Sequence, residues 1–290
     1  MSVQASALEE VEARRRYIGG TDIAAILGLH PRSTPYQVWC EKKGLAHREL
    51  TEAMVHGSNL ESYVARLFAA VEQVKLKKAD RLFDPLVSHF AASPDYEVPG
   101  RRWYLECKTT GVFAAKCFGP QPDAVPEEYV CQGQWQLGIP RPDGEVYEAV
   151  AFAVLIGGQE YRSYVVERDD ELIYELRRRA DEWWRRHILG DEPPAVTERP
   201  CDAELLGKRF PNTDGNVVTA TPDIEEAIAE LANLKVEIKD LEAKAALLTN
   251  RIKAFMGEAA ICISAAGEAR WIASSNGVRR FTLHEPREGG

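Results

Sequence analysis

The sequence has no long apolar run. Nothing in its 290 residues approaches the 18 or more consecutive apolar positions of a membrane span, and the opening stretch MSVQASALEEVEARRRY lacks the apolar centre of a secretory signal. No membrane partner is expected, and the cytoplasm is the expected compartment. Paired cysteines are lacking too. The six present (Cys40, Cys107, Cys117, Cys131, Cys201 and Cys262) are scattered without one Cys-x-x-Cys. That spacing argues against structural zinc or an iron–sulfur cluster and points to reduced core thiols. His30, His47, His56, His89, His187 and His284 likewise show no metal-ligand spacing. Positive charge is in deficit, with 36 Lys and Arg against 45 Asp and Glu, for a net charge of −9. Bulk electrostatic coating of nucleic acid is disfavoured, but an enzyme meeting phosphate through a few local cations, such as the run Arg14 to Arg16, is not. No internal repeat is evident.

What remains is an ordinary globular balance, 45% hydrophobic and 28% charged, enough to bury a sizeable core. After an amphipathic N-terminal segment, YIGGTDIAAILG predicts a helix capped by Thr21 or Asp22 and ended by Gly28. A second helix is expected from about Thr34, with Pro35 in its first turn. Leu60, Val64, Leu67, Phe68 and Val71 recur at helical spacing within residues 54–73, with Glu61 on the edge of that stripe. VKLKKADRLF, HFAASPDYEV and RRWYLECKT read as strands, the last two joined by a turn at Pro99-Gly100. EEYVCQGQWQLGI predicts a helix, EAVAFAVLIGGQEYRSYVVERD a hairpin about Gly157-Gly158, and DDELIYELRRRADEWWRRHIL a long helix carrying Trp183 and Trp184 on its core side.

Residues 191–221, rich in Pro, Gly and polar side chains, read as a linker. A second long helix is expected from about Pro222 to Met256. Along it Leu234, Ile238, Leu241, Ala245, Leu248, Ile252 and Phe255 form a heptad seam, the mark of an oligomerisation or partner-docking element. Small strands follow, with a turn at Asn276-Gly277. The expected class is α/β (α+β): a mixed sheet flanked by helices, then a long helix and a small β tail.

The stretch RRWYLECKTT carries the chemistry. Alternation on a strand turns Tyr104, Glu106 and Lys108 to one face and Trp103, Leu105 and Cys107 to the other. Glu106 and Lys108 are then ~7 Å apart along the strand. Hydrolysis of a phosphodiester needs a cation against developing charge and a group that manages water. Mg²⁺ takes hard oxygen ligands, so a second carboxylate is required nearby. The hairpin supplies Asp95, eleven residues before Glu106. Asp95 and Glu106 are the expected metal ligands, with the Cys107 backbone carbonyl as a further one, and Lys108 orients water or stabilises the phosphate. Glu-x-Lys also occurs at Glu41/Lys43, Glu237/Lys239 and Glu242/Lys244, all in helical contexts where it is solvated surface.

These residues resemble the PD-(D/E)xK nuclease superfamily, and within it the YqaJ-type viral recombinases related to lambda exonuclease. The resemblance rests on IGGTDIAAILGLHPRSTPYQVWCEKKG, HGSNLESYVARLF, SPD…LECKT, VPEEYVCQGQWQLGI and LIGGQEYRSYVVERD, in that order across about residues 11–190. It implies metal ligation by Asp95 and Glu106 and a catalytic Lys108. It adds Glu61 as a helical acid lining the site, holding a second metal through water, and Gln132 or Gln134 as the site glutamine. It implies phosphate contacts from Arg14, from Thr21 at a helix start and from Ser93. Tyr96 departs from the Gly that usually follows Pro-Asp. Ala114 stands where a basic phosphate contact is usual, with Lys116 as a substitute.

The resemblance implies a nuclease domain over 1–190, the 191–221 linker, and a helical extension with a β tail over 222–290. The expected activity is a Mg²⁺-dependent exonuclease, Mn²⁺ substituting, that acts on linear double-stranded DNA ends. It would run 5′ to 3′ and leave 3′ single strands for a single-strand annealing protein in phage-type recombination. A ring-forming homo-oligomer, a trimer being the candidate closure, and a phage or prophage origin in a bacterial host belong to the same expectation. The alternatives are a structure-selective endonuclease using the same site and a non-enzymatic DNA-end-binding adaptor.

Overall fold

A computed structural model describes residues 12–46, 51–121, 123–274 and 277–285; the first 11 residues, His47 and Asn276 lie outside them. The chain divides into two compact units between Thr213 and Asp214. Along the first come α1 (Gly20–Ile26), α2 (Pro35–Lys42) and α3 (Glu52–Glu72), then the short strands β1 (Lys77–Lys78), β2 (Leu82–Phe83), β3 (Ala91–Ala92) and β4 (Tyr96–Val98). β5 (Trp103–Thr110), α4 (Glu127–Gly138), β6 (Ala149–Ile156), β7 (Glu160–Glu167), α5 (Asp170–Trp183) and α6 (Pro200–Arg209) follow.

One mixed sheet, in the order β1-β4-β5-β6-β7, organises this unit. β6 is AVAFAVLI, apolar at every position, and is buried throughout, as a strand covered on both faces must be. β5 runs parallel to it and β7 antiparallel. The β6–β7 turn spans Gly157, Gly158 and Gln159; both glycines are left-handed, at φ +57° and +74°, and the Gln159 N–H donates to the Ile156 carbonyl at 3.1 Å. One face of the sheet packs with α1, α4 and α5 into the larger core, which takes in Ile23, Trp135, Phe152, Leu176, Trp183 and Trp184. The other face receives α3, whose Val64, Ala65 and Phe68 lie against Leu105, Ala151, Ala153 and Leu155. Leu60 and Val71, expected in the same stripe, are exposed, because only the middle turns of α3 reach the sheet.

Helix starts follow side-chain chemistry. Thr34 caps α2 by accepting from the Gln37 N–H at 3.1 Å, and Asp169 caps α5 through Leu172 N–H at 2.9 Å. α1 differs from expectation: Gly19 is its N-cap, and Asp22 reaches back from the third helical position to accept the Gly19 N–H at 2.9 Å. Thr21 sits in the first turn and is not the cap. Only the acid arm of a capping box is present: Asp22 satisfies the N-cap N–H from inside the helix, and glycine has no side chain to supply the other arm.

The expected linker over 191–221 is corrected. Its middle forms α6, which packs on α2 through Leu205. Asp202 is fully buried and accepts from Thr34 Oγ1 at 2.5 Å, Thr197 N at 2.7 Å and Thr197 Oγ1 at 2.8 Å. Arg199 donates to the His30, Ser33 and Gly28 carbonyls. Polar composition misleads because this segment is held by buried hydrogen bonds, with few apolar anchors.

The second unit holds α7 (Pro222–Met256) and the antiparallel strands β8 (Ile261–Ser264), β9 (Gly267–Ala273) and β10 (Arg279–His284), ordered β10-β9-β8. Gly257, at φ +53°, ends the helix. Arg279 then lies over the Trp271 ring at 3.7 Å and donates to the Gly257 and Ala259 carbonyls at 2.8 and 2.6 Å, tying the helix end to the sheet. Among the described residues no helix is long and apolar enough to cross a membrane.

Candidate active site

β4 and β5 pair as Tyr96↔Leu105, Glu97↔Tyr104 and Val98↔Trp103, so the first residue of β4 lies opposite Leu105 and the ladder stops short of Glu106. Beyond that point the β5 edge facing β4 has lost its strand partner. Asp95, one residue before β4, fills the gap: its Oδ2 accepts the Cys107 N–H at 2.8 Å. A carboxylate thus stands where a ladder carbonyl would otherwise continue, in register with Glu106, whose charge reaches it.

On the adjoining face, Lys108 Nζ donates to Glu106 Oε1 at 2.8 Å and to Gln132 Oε1 at 3.0 Å, and lies over the Tyr129 ring at 4.9 Å. Gln132 returns a bond from Nε2 to Glu106 Oε1 at 2.5 Å, and Gln136 donates to Glu106 Oε2 at 2.9 Å. α4 therefore offers one side, Tyr129, Gln132 and Gln136, to the β5 pair. Gln134 belongs elsewhere. Its Nε2 donates to the Glu167 carbonyl at 2.6 Å and its Oε1 accepts from Asp169 N at 2.9 Å, so it fastens the β7–α5 junction. Of the two expected glutamines only Gln132 reaches the site. Gln136 was missed, although residues four apart share a helix face while residues two apart do not.

Burial pushes the Asp95 carboxyl up, to about 7; the neighbouring Glu106 charge adds to this, against the Cys107 N–H and Lys108. Burial works against the Lys108 ammonium, but Glu106, Tyr129 and Asp95 together outweigh it and hold Lys108 above the ordinary lysine value. Burial and the Asp95 and Glu106 charges push the Cys107 thiol far up, and its side chain packs against the core under α3.

Glu61 stands apart. It pairs with Lys78 at 2.5 Å, and Lys78 also lies over the Tyr96 ring at 4.5 Å. Its charge still reaches Asp95, as one of the influences that raise that carboxyl. Among the described residues no group of three or more His, Cys, Asp or Glu is close enough to hold a metal ion by itself. The Asp95–Glu106 pair nevertheless suits a hard divalent cation. Its donors are all oxygen, and its like charges are under strain that a cation relieves.

The expected phosphate residues form a second group. Arg14 Nη2 donates to Thr21 Oγ1 at 2.6 Å and lies 3.5 Å from Asp22 Oδ1. Buried Lys42 braces this corner, donating to Asp22 Oδ2 at 2.7 Å and to the Arg14 carbonyl at 2.8 Å. Burial opposes the Asp22 charge, but Lys42 and Arg14 outweigh it and hold its carboxyl down at about 2. Ser93 accepts from Arg81 Nε at 3.0 Å, and Arg81 lies 5.6 Å from the Tyr17 ring, which Lys42 also approaches at 5.8 Å. Arg81 was missed; nothing in the basic run around it singles it out. The group adjoins the carboxylates through Gly20, where an added Cβ would come within 3.1 Å of Gln132 Cγ. Lys116 is exposed on the turn after β5.

Residues 11–141 match the model of the YqaJ-like viral recombinase domain. The Bacillus subtilis (strain 168) protein YqaJ, itself uncharacterised, is 35% identical over 251 residues, covering 85% of this chain and 77% of that protein. The chain belongs to the YqaJ family. A solved structure from Eubacterium rectale, assigned as an exonuclease, shares the fold of this YqaJ-family chain, with a TM-score of 0.51, 12% identity, and coverage of 78% of this chain and 98% of that one. The alkaline exonuclease LHK-Exo from Laribacter hongkongensis aligns at a TM-score of 0.47 and 20% identity over 69% of this chain and 96% of its own.

Proposed function

We propose that this protein is a divalent-metal-dependent exonuclease acting on the ends of linear double-stranded DNA. The observation that carries the reading is the convergence of Asp95, Glu106, Lys108 and Gln132 at the point where β5 outruns β4. Family membership supports it. Asp95 and Glu106 would hold Mg²⁺, or Mn²⁺ in its place, with the Cys107 carbonyl as a third protein oxygen and Glu61 acting through water. When bound, the metal supplies Lewis-acid stabilisation of the phosphate and activates water.

The chain's own groups do the rest. Lys108, fixed between Glu106 and Gln132 and kept protonated, carries positive charge to the phosphate and orients water by donating to it. Gln132 and Gln136 hold the Glu106 carboxylate in one orientation. Arg14, Thr21 and Ser93, with Arg81 beside Ser93, would receive a terminal phosphate. The reading extends to 5′ to 3′ polarity, a 3′ single-stranded product for an annealing protein, a ring-shaped homo-oligomer and a role in phage-type recombination.

The test is nucleotide release from linear duplex DNA with and without Mg²⁺, on 5′-phosphate and 5′-hydroxyl ends, beside closed circular DNA and the Lys108→Ala variant. Mononucleotides from linear DNA alone, lost in Lys108→Ala, are expected. A rate higher on phosphorylated ends, with the preference lost in Arg14→Ala, supports the phosphate group. Cutting of circles favours the endonuclease. DNA binding without products under any metal leaves the adaptor.

A further inference from the structure

We infer that α7 is a self-recognition element that pairs antiparallel with α7 of a second copy of this chain. The helix is 35 residues long and buries only Met256. The apolar seam read from the sequence over 234–255 extends back to its first turn. One set of seam positions is Ile224, Leu231, Ile238, Ala245 and Ile252; the other is Ala227, Leu234, Leu241, Leu248 and Phe255. Leu241 is 62% exposed and Phe255 83%, so the seam lies uncovered by the rest of the second unit. A face of this period and length suits a coiled-coil partner.

Two independent features name the partner and its direction. The first is volume. In antiparallel pairing centred between Lys239 and Asp240, each residue of one set meets one of the other. Ile224 faces Phe255, Leu231 faces Leu248 and Ile238 faces Leu241, while Ala245 takes Leu234 and Ala227 takes Ile252. Every alanine meets a large side chain. Parallel pairing in register would set alanine on alanine at 227 and 245 and phenylalanine on phenylalanine at 255, leaving voids and a crowded end.

The second is charge. The flanking positions carry Glu230, Glu237, Lys244 and Arg251 on one side of the seam and Lys235 and Glu242 on the other. The same antiparallel register sets Glu230 against Arg251, Glu237 against Lys244 and Lys235 against Glu242, each twice by symmetry. Every charged contact is then attractive. Parallel pairing keeps Glu230 against Lys235 but sets Glu237 against Glu242, each twice, so its attractions and repulsions cancel. The antiparallel arrangement also cancels the two helix dipoles. A single seam that fits itself in shape and sign points to a second copy.

The experiment uses the full chain. Sedimentation equilibrium is run on the native protein, on a Glu230→Lys/Glu237→Lys variant, and on that variant with Lys244→Glu and Arg251→Glu added. The dissociation constant of the helix pair is expected to rise about tenfold or more in the first variant, from several reversed contacts acting together. It should return toward the native value in the second, which also shows that the first still folds. Direction is read by mixing Leu234→Cys chains with Ala245→Cys chains, oxidising, and mapping linked peptides. A disulfide joining positions 234 and 245 of different chains is expected. Linkage of 234 to 234 would establish the parallel arrangement and overturn the proposal. An association state indifferent to both charge reversals would overturn it as well, and would leave the seam to a different protein.

Discussion

Gln136, only 1% exposed, donates its Nε2 to Glu106 Oε2 at 2.9 Å, while Gln132 one turn earlier donates to Oε1 of the same carboxylate at 2.5 Å. Two amides on one helix face thus hold both oxygens of a buried acid. The Oε1 of Gln136 is itself buried with no hydrogen-bond partner, so this side chain forgoes one bond and keeps the one to Glu106.

Gln136 is therefore a positioning residue for Glu106. Gln136→Met, similar in volume, should lower kcat for nucleotide release about 10- to 100-fold with KM little changed, as loss of an outer support for a metal-site residue typically does. Urea unfolding run in parallel should show a loss of about 1–3 kcal/mol from the unpaired carboxylate oxygen. Equal effects on kcat and KM would argue for a structural role alone.

Asp95→Asn should separate stability from activity. The amide can keep the Cys107 contact through its oxygen while removing the charge that burial and Glu106 oppose. The metal-free variant should be more stable than the native chain by about 1–3 kcal/mol, in the usual trade between site strain and stability. Added Mg²⁺ should raise the Tm of the native protein and leave that of the variant unchanged. A destabilised variant, or one with the native metal response, would remove Asp95 from the ligand set.

Asp22 sets a pH dependence of known sign. Its carboxyl is held at about 2, below the ordinary 3.8, as Lys42 and Arg14 overcome the effect of burial. A group depressed on folding contributes its full stability above its unfolded value and loses it as pH falls toward the folded one. Asp22→Asn should thus cost about 2 kcal/mol at pH 7. The gap to the native chain should narrow between about pH 4 and pH 2 in urea titrations at stepped pH. A gap that widens on acidification would contradict the assignment.

The corrected boundary can be tested by truncation. A chain ending at Thr213 keeps α6 and should unfold cooperatively. One ending at Gly190 loses Asp202, the acceptor for Thr34 Oγ1 and the Thr197 N–H, and uncovers the α2 surface under Leu205. Its Tm should be lower by several degrees in calorimetry, from an orphaned buried hydroxyl together with lost apolar burial. Equal melting of the two would return residues 191–213 to the role of linker.

The sequence by itself determined whatever depends on neighbours along the chain. Alternation placed Glu106 and Lys108 on one face of β5, the all-apolar run made β6 an interior strand, and Gly157-Gly158 set the β6–β7 turn. Thr34 and Pro35 started α2, and Pro222 and Gly257 bounded α7. Spacing was also enough to bring Asp95 opposite Glu106 once the hairpin was granted. Only the tertiary structure decided between Gln132 and Gln134, since that choice turns on which side of α4 meets β5. The same holds for Gln136, for the Asp22–Lys42 pair, for Arg81 beside Ser93 and for the Thr34–Asp202 bond. These contacts join residues distant in sequence through short polar bonds. Periodicity reports which face of an element is apolar, but not which polar group waits across from it.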